Sequence, residues 1–306
     1  MKLLAQKDPF AVTTQEGLMP FVEFGAPAEA PASPVVLSLP HSGRCYPASF
    51  ISSSQLSLQA LRLGEDAYVD LLLKDLEHAG FSLLVATHGR SYLDLNRKAN
   101  ELDPDMFSPR LQEGGLALTH RVRAGLGCIP KISGRGQQIY KAPLPDSAHE
   151  ERINALYAPY HTRLEQHIAA RVTRFGHAVV LDCHSMPAPP HKRTDHKPWP
   201  AIVLGDCWGS SCAPSLTAKA EEIFQASDFS VRRNIPYAGG FVCQHYGQPS
   251  GGVQVLQLEI NRSLYMNETT LAPLSHFNEV GLMLQHCLTQ IADFAATLPV
   301  TAAAAE

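Results

Sequence analysis

The chain has 306 residues, 45% hydrophobic and 18% charged, a globular composition that excludes disordered, collagen-like and coiled-coil chains. With 25 basic against 29 acidic residues the formal charge is −4, leaving no surplus of positive charge to neutralise phosphates, so neither nucleic acid nor an anionic membrane is expected as a partner. Apolar runs such as 81–86 and 178–181 fall far short of the roughly 18 residues of a membrane helix. Leu3 to Ala5, between Lys2 and Lys7, is too short for a signal peptide. Seven cysteines, an odd count without a CxxC pair, argue against a disulfide framework and a zinc knuckle, so a reducing cytoplasm is the expected location.

In chain order, PVVLSL at 34–39 is an apolar run stopped by Pro40, which predicts a buried strand whose carboxyl end meets His41-Ser42-Gly43. Residues 65–77 carry Val69, Leu72, Leu73 and Leu76 at helical spacing, with Gly80 as the stop, and predict an amphipathic helix. The next strand is 81–86. Strand, helix, strand is the order that builds an α/β protein with a largely parallel sheet and helices on both faces. The stretch 98–147, broken by Gly114-Gly115, Gly125, Gly127, Gly134 and Gly136, reads as an excursion, so residues 1–306 are expected to form a single domain. Ile153, Leu156, Tyr157, Tyr160, Leu164 and Ile168 predict a helix over about 150–174, kinked at Pro159. A strand at 178–183, a loop with five prolines at 187–200, a strand at 201–204, a helix at 213–225, a last strand at 253–260 and a closing helix over about 274–294 complete the series. The tail 301–306 is expected to fray.

Fourteen histidines raise the weight of metal or acid–base chemistry. His41 and His184 each directly follow a predicted buried strand, and in open α/β sheets ligands gather beyond the carboxyl ends of strands. Gly64-Glu65-Asp66 opens the helix after the first strand. Its acids suit a helix N-terminus by the dipole alone. A catalytic zinc, however, takes three His and carboxylate ligands and keeps a position for water, a set that His41, one of the two acids and His184 would supply. Glu259, on the last strand, either pairs with Arg262 or takes a proton from water during attack on a carbonyl.

Arg97 beside Asn96 suits a carboxylate, which a guanidinium grips with two parallel hydrogen bonds, although a solvated surface arginine has the same sequence. Arg135, between Gly134 and Gly136, sits at a loop tip able to close over a ligand, or in an idle turn. His191 and His196 read as solvated loop residues. His161 on its helix and His245 after Gly239-Gly240-Phe241 either face a site or serve the core. No GxSxG, Walker loop or GxGxxG follows a strand.

Pro40-His41-Ser42-Gly43, Glu65-Asp66 followed by Val69-Asp70, Asp94-Leu95-Asn96-Arg97, Pro159-Tyr160-His161, Leu181-Asp182-Cys183-His184-Ser185 and LQLEINR at 256–262 occur in the order seen in N-formylglutamate amidohydrolases. On these six blocks, spanning roughly 34–268, the chain resembles that family, itself similar to the zinc carboxypeptidase and aspartoacylase group. The resemblance implies a three-layer α/β/α fold around a mixed, largely parallel sheet. It also implies zinc-dependent cleavage of N-formyl-L-glutamate to formate and glutamate, at the end of a histidine-degradation route.

By the same resemblance His41, Asp66 and His184 hold zinc or another divalent ion. Asp66 is preferred to Glu65 because the family's acid stands three residues before the Val-Asp pair. The resemblance also gives Asn96 and Arg97 for a substrate carboxylate and Glu259 as the general base; beside the resemblance, Arg135 is expected to help hold the carboxylates and His245 or His161 to steady the oxyanion. Ala67 before Tyr68, and Cys183, depart from the family pattern and touch the shape of the pocket. The rival readings are an amidase for another N-acyl amino acid or a peptidoglycan fragment, and a non-catalytic metal-dependent binding module.

Overall fold

A computed structural model describes residues 8–189 and 199–299. Leu3 to Ala5, most of the proline-rich loop with His191 and His196, and the tail 301–306 lie outside the described residues. The chain runs through β1 (Phe21–Gly25), β2 (Val35–Leu39), α1 (Ala48–Ser53), α2 (Leu58–Arg62), α3 (Val69–Leu73), β3 (Ser82–Ala86), β4 (Phe107–Ser108), α4 (His120–Arg123) and β5 (Leu144–Pro145). There follow α5 (Ser147–Arg152), α6 (Ala158–Phe175), β6 (Ala178–Met186), β7 (Ile202–Gly205), α7 (Pro214–Ala226), β8 (Val231–Arg233), α8 (Phe241–Tyr246), β9 (Val253–Asn261) and α9 (Phe277–Ala295). Among the described residues no helix is long and apolar enough to cross a membrane.

The fold is α/β, as expected, with a seven-stranded sheet in the order β1-β3-β2-β6-β9-β7-β8 flanked by helices. β2 with β6, β6 with β9 and β7 with β8 are parallel, while β7 with β9 is antiparallel, so the sheet is mixed and largely parallel. Strands β2, β3, β6 and β7 are buried at every position, which is why β2, β3, β7 and the first half of β6 read as largely apolar runs instead of alternating ones.

Two compact units are present. One comprises Glu23–Leu39, Leu72–Leu84 and the chain from Arg163 onward, and holds most of the sheet; Leu216, Ala220, Ile223 and Phe224 of α7 and Leu284, Cys287, Leu288 and Ile291 of α9 are buried in it. The other comprises the chain up to Val22 with Pro40–Leu71 and Val85–Thr162, and has its own cluster of Tyr46, Phe50, Leu61 and Ile139. The glycine-rich excursion contributes to that cluster through Ile139 and Tyr140, and the Arg152 guanidinium stacks on Tyr92 at 4.0 Å while donating to the Tyr140 hydroxyl at 2.8 Å.

Three expectations need correction. The helix expected over 65–77 is α-helical only across Val69–Leu73, continues as a 3₁₀ turn at Lys74–Ala79 and stops as expected at Gly80, which has φ 82°. It starts late because the Asp66 N–H donates to the His41 carbonyl at 3.1 Å and Tyr68 takes φ 67°, so neither backbone continues a helix. The strand expected to end at Cys183 runs on to Met186, which places His184 inside β6 and not after it. The helix expected over 150–174 begins at Ser147 and passes through a π turn at Ile153–Tyr157 before resuming at Ala158. Pro159 has no N–H and its ring crowds the preceding turn; widening that turn, with the Ala158 N–H donating to the Ile153 carbonyl, accommodates it.

Gly43 shows how closely the segment after β2 is packed. A Cβ there would lie 2.2 Å from the His88 carbonyl oxygen, between segments joined by Cys45 N–H to the Thr87 carbonyl (2.8 Å) and Gly89 N–H to the Cys45 carbonyl (3.0 Å). Gly43→Ala is therefore expected to destabilise the protein by about 1–3 kcal/mol, read as a lower urea midpoint at unchanged m-value.

Candidate active site

β2 and β6 pair in parallel with Ser38 beside Asp182, and the Ser38 hydroxyl donates to Asp182 Oδ1 at 3.1 Å. Pro40 then ends β2 and delivers His41. The His41 ring is buried, with Nε2 2.7 Å from Asp94 Oδ1 and Nδ1 3.3 Å from Asp66 Oδ2. Asp94 is also buried and accepts from the Asn96 N–H at 2.9 Å and from Arg90 Nη2 at 2.7 Å. Burial alone would raise its carboxyl; the Arg90 and Arg97 guanidiniums and the His41 ring outweigh that and hold it well below the ordinary carboxylate range. An ionised Asp94 accepts from His41 Nε2–H, which makes Nδ1 the ring nitrogen that can serve as a ligand.

The second histidine repeats the arrangement. Asp182 and His184 are two apart on β6 and share one face of the strand. His184 Nε2 lies 2.8 Å from Asp182 Oδ2, again presenting Nδ1 as the nitrogen that can ligate. β9 pairs with β6 so that Gln257 lies beside Asp182 and Glu259 beside His184. Gln257 accepts from the Gly240 N–H at 2.8 Å and donates to Glu259 Oε1 at 2.9 Å, which fixes the buried carboxylate next to His184. One ligand atom from each of His41, Asp66 and His184 lies within 4.8 Å of the others, and all three residues are buried, so this group could hold a metal ion.

Of the two acids after Gly64, Glu65 is committed elsewhere. It accepts from the Tyr46 hydroxyl at 2.7 Å and from Arg62 Nε at 2.9 Å and Nη2 at 3.2 Å, although burial pushes its carboxyl up. Asp66 is the member that meets His41.

The segment Asp94–Arg97 is fixed from several sides. The Asp94 N–H donates to the Cys128 carbonyl at 2.7 Å, His161 Nε2 to the Leu95 carbonyl at 2.9 Å, and the Tyr157 hydroxyl to the Arg97 carbonyl at 2.9 Å. Arg97 donates from Nε to the Leu126 carbonyl at 3.1 Å and from Nη1 to the Asn96 carbonyl at 2.7 Å. Asn96 is buried, and Arg135 is exposed on a loop whose Gly134 packs against Gly64. His161 is thus a brace for this segment. His245 is exposed on α8, stacked on Phe241 with centroids 4.7 Å apart.

Sequence reasoning gave no role to Asp94, Asp182, Gln257 or Arg90. Asp182 and Gln257 had a signal, a polar residue two positions from a candidate on the same strand. Asp94 had none, because its histidine lies 53 residues away.

A family model described as N-formylglutamate amidohydrolase matches residues 33–266. The N-formylglutamate deformylase of Pseudomonas aeruginosa is 30% identical over 240 residues, 77% of this chain and 83% of that protein. The N-formylglutamate deformylase of Pseudomonas putida is 28% identical over 262 residues, 84% and 90% respectively. The crystal structure of an N-formylglutamate amidohydrolase from Ralstonia eutropha JMP134 superposes with a TM-score of 0.84 at 33% identity, covering 91% of this chain and 99% of that one. His41, Asp66, Asp94, His184 and Glu259 all fall inside the matched stretch, and the chain is a hydrolase of the N-formylglutamate amidohydrolase family.

Proposed function

We propose that the protein is a zinc-dependent deformylase that cleaves N-formyl-L-glutamate to formate and L-glutamate. The observation that carries this reading is the buried His41, Asp66 and His184 group, with each histidine backed by its own carboxylate. Two imidazoles and one carboxylate are a donor set that a catalytic zinc takes, and a carboxylate on the far ring nitrogen is the usual partner of a ligating histidine. A divalent ion bound there would polarise the scissile carbonyl and let water attack near neutral pH.

The remaining chemistry belongs to side chains. Glu259, oriented by Gln257, takes the proton of the attacking water and passes it to the departing amine. Asn96 and Arg97 bind a substrate carboxylate, and Arg135 closes over the ligand from its loop; fixing so small a molecule aligns its amide carbon for attack. His245 donates to the carbonyl oxygen as it gains charge.

Formate release from N-formyl-L-glutamate, measured with metal content before and after chelation, tests the reading: activity should follow the metal, and full activity in a metal-free sample would overturn it. Glu259→Gln is expected to keep its metal and lose at least about 100-fold in kcat. Asp94→Asn and Asp182→Asn should each weaken zinc binding by about 10–100-fold, measured by competition with a chelating dye. Glu65→Gln should leave zinc stoichiometry intact yet cost about 3 kcal/mol of stability, since it strands the largely buried Arg62 guanidinium.

A further inference from the structure

Asp94 does more than orient His41. Its Oδ2 accepts from Arg90 Nη2 at 2.7 Å and lies 3.9 Å from Arg97 Nη2, so a single buried carboxylate holds two guanidiniums side by side. The two side chains differ in what surrounds them. Arg97 donates to the carbonyls of Leu126 and Asn96 and is 13% exposed. Arg90 is twice as open, at 27%, and its Cδ lies 4.0 Å from where a Cβ on Gly64 would stand; Gly64 immediately precedes Glu65-Asp66, and the same imagined Cβ is 3.8 Å from the Gly134 nitrogen, next to Arg135. Arg90 thus reaches toward the segment that carries Asp66 and the loop that carries Arg135, and Arg97 toward Leu126.

The charge around Asp94 is unbalanced in the same sense. Arg97 feels Arg90 and Arg121 as like charges, against Asp94 and Glu101. Glu101 is already occupied, accepting from the Thr119 hydroxyl at 2.7 Å and the Lys98 N–H at 2.9 Å. Burial, with that crowding added, lowers the Arg97 guanidinium from its ordinary value, and an anionic ligand would relieve the repulsion. A substrate whose two carboxylates are separated by three carbons, the α-carbon and two methylenes, offers one to each guanidinium.

We propose that Arg90 is the specificity-determining residue, binding the side-chain carboxylate of an N-formyl acidic amino acid while Arg97 binds the main-chain carboxylate. This rests on the deformylase reading above. A guanidinium grips a carboxylate with two parallel hydrogen bonds and leaves a donor mismatched against a neutral amide, so the pair selects glutamate over glutamine. The competing account makes Arg90 only a support for Asp94, and through it for His41; such a role would affect all substrates equally.

The test compares kcat and KM of the wild type, Arg90→Gln and Arg90→Lys on N-formyl-L-glutamate and N-formyl-L-glutamine, with zinc content measured on each preparation. Arg90→Gln is expected to lose about 10–100-fold in kcat/KM on the glutamate substrate, mostly through KM, and less than about 3-fold on the glutamine substrate, with zinc retained. Arg90→Lys, which keeps the charge without the two-pronged geometry and guards against a folding defect, should show a smaller loss confined to the glutamate substrate. Equal losses on both substrates, loss of zinc, or an Arg90→Gln enzyme with unchanged preference would overturn the assignment and leave the deformylase reading standing. A zinc-loaded wild type inactive on both substrates would overturn the deformylase reading itself.

Discussion

Parallel pairing in one register decides where the reactive groups stand. β2, β6 and β9 are neighbours, with Ser38 beside Asp182, Asp182 beside Gln257 and His184 beside Glu259. Because alternate residues of a strand share a face, this register lines up a hydroxyl, two carboxylates, an amide and an imidazole on one buried surface. A slip of one residue would turn every one of them to the opposite face and bring apolar side chains in their place. The apolar neighbours that fix the register, such as Val180 beside Val255 and Leu181 beside Leu256, therefore determine the chemistry as well as the core.

Buried polar groups on such a surface persist only when each is satisfied. Asp182 accepts from Ser38 and His184, Asp94 from His41, Arg90 and the Asn96 N–H, and Gln257 links Gly240 to Glu259. In a low-dielectric interior an unpaired member of such a set would cost several kcal/mol, so the network holds its side chains in one arrangement. The His41 and His184 rings are consequently oriented by the folding of the chain itself, a form of preorganisation that metal sites and oxyanion donors both rely on.

Much of this was legible in the sequence because apolar runs mark buried strands and Pro40 marks where the first one ends. Strands 34–39 and 253–260 and the closing helix were read within a few residues, and the motif blocks pointed to His41, Asp66 and His184. Composition and spacing alone could not separate Glu65 from Asp66, since the difference lies in Tyr46 and Arg62, which occupy only the former. β1, with the sequence FVEFG, and β8, with VRR, escaped notice because they are half-exposed and carry charge, without the uninterrupted apolar signature. The helical periodicity at 65–77 continued through residues whose backbone leaves the helix at Tyr68, a local conformation that hydrophobic spacing does not register.

The widened turn at Ile153–Tyr157 ties two functions of one long helical stretch together. Before it, Arg152 reaches Tyr92 and Tyr140; after it, Tyr160 and His161 are buried and His161 holds the Leu95 carbonyl. The extra residue in that turn acts as a phase adjuster. Excising one position there would restore ordinary helical pitch but swing everything downstream by about 100°, so that the imidazole bracing the arginine-bearing segment would face away from it. The length of this turn is thereby coupled to the placement of the Asp94–Arg97 segment.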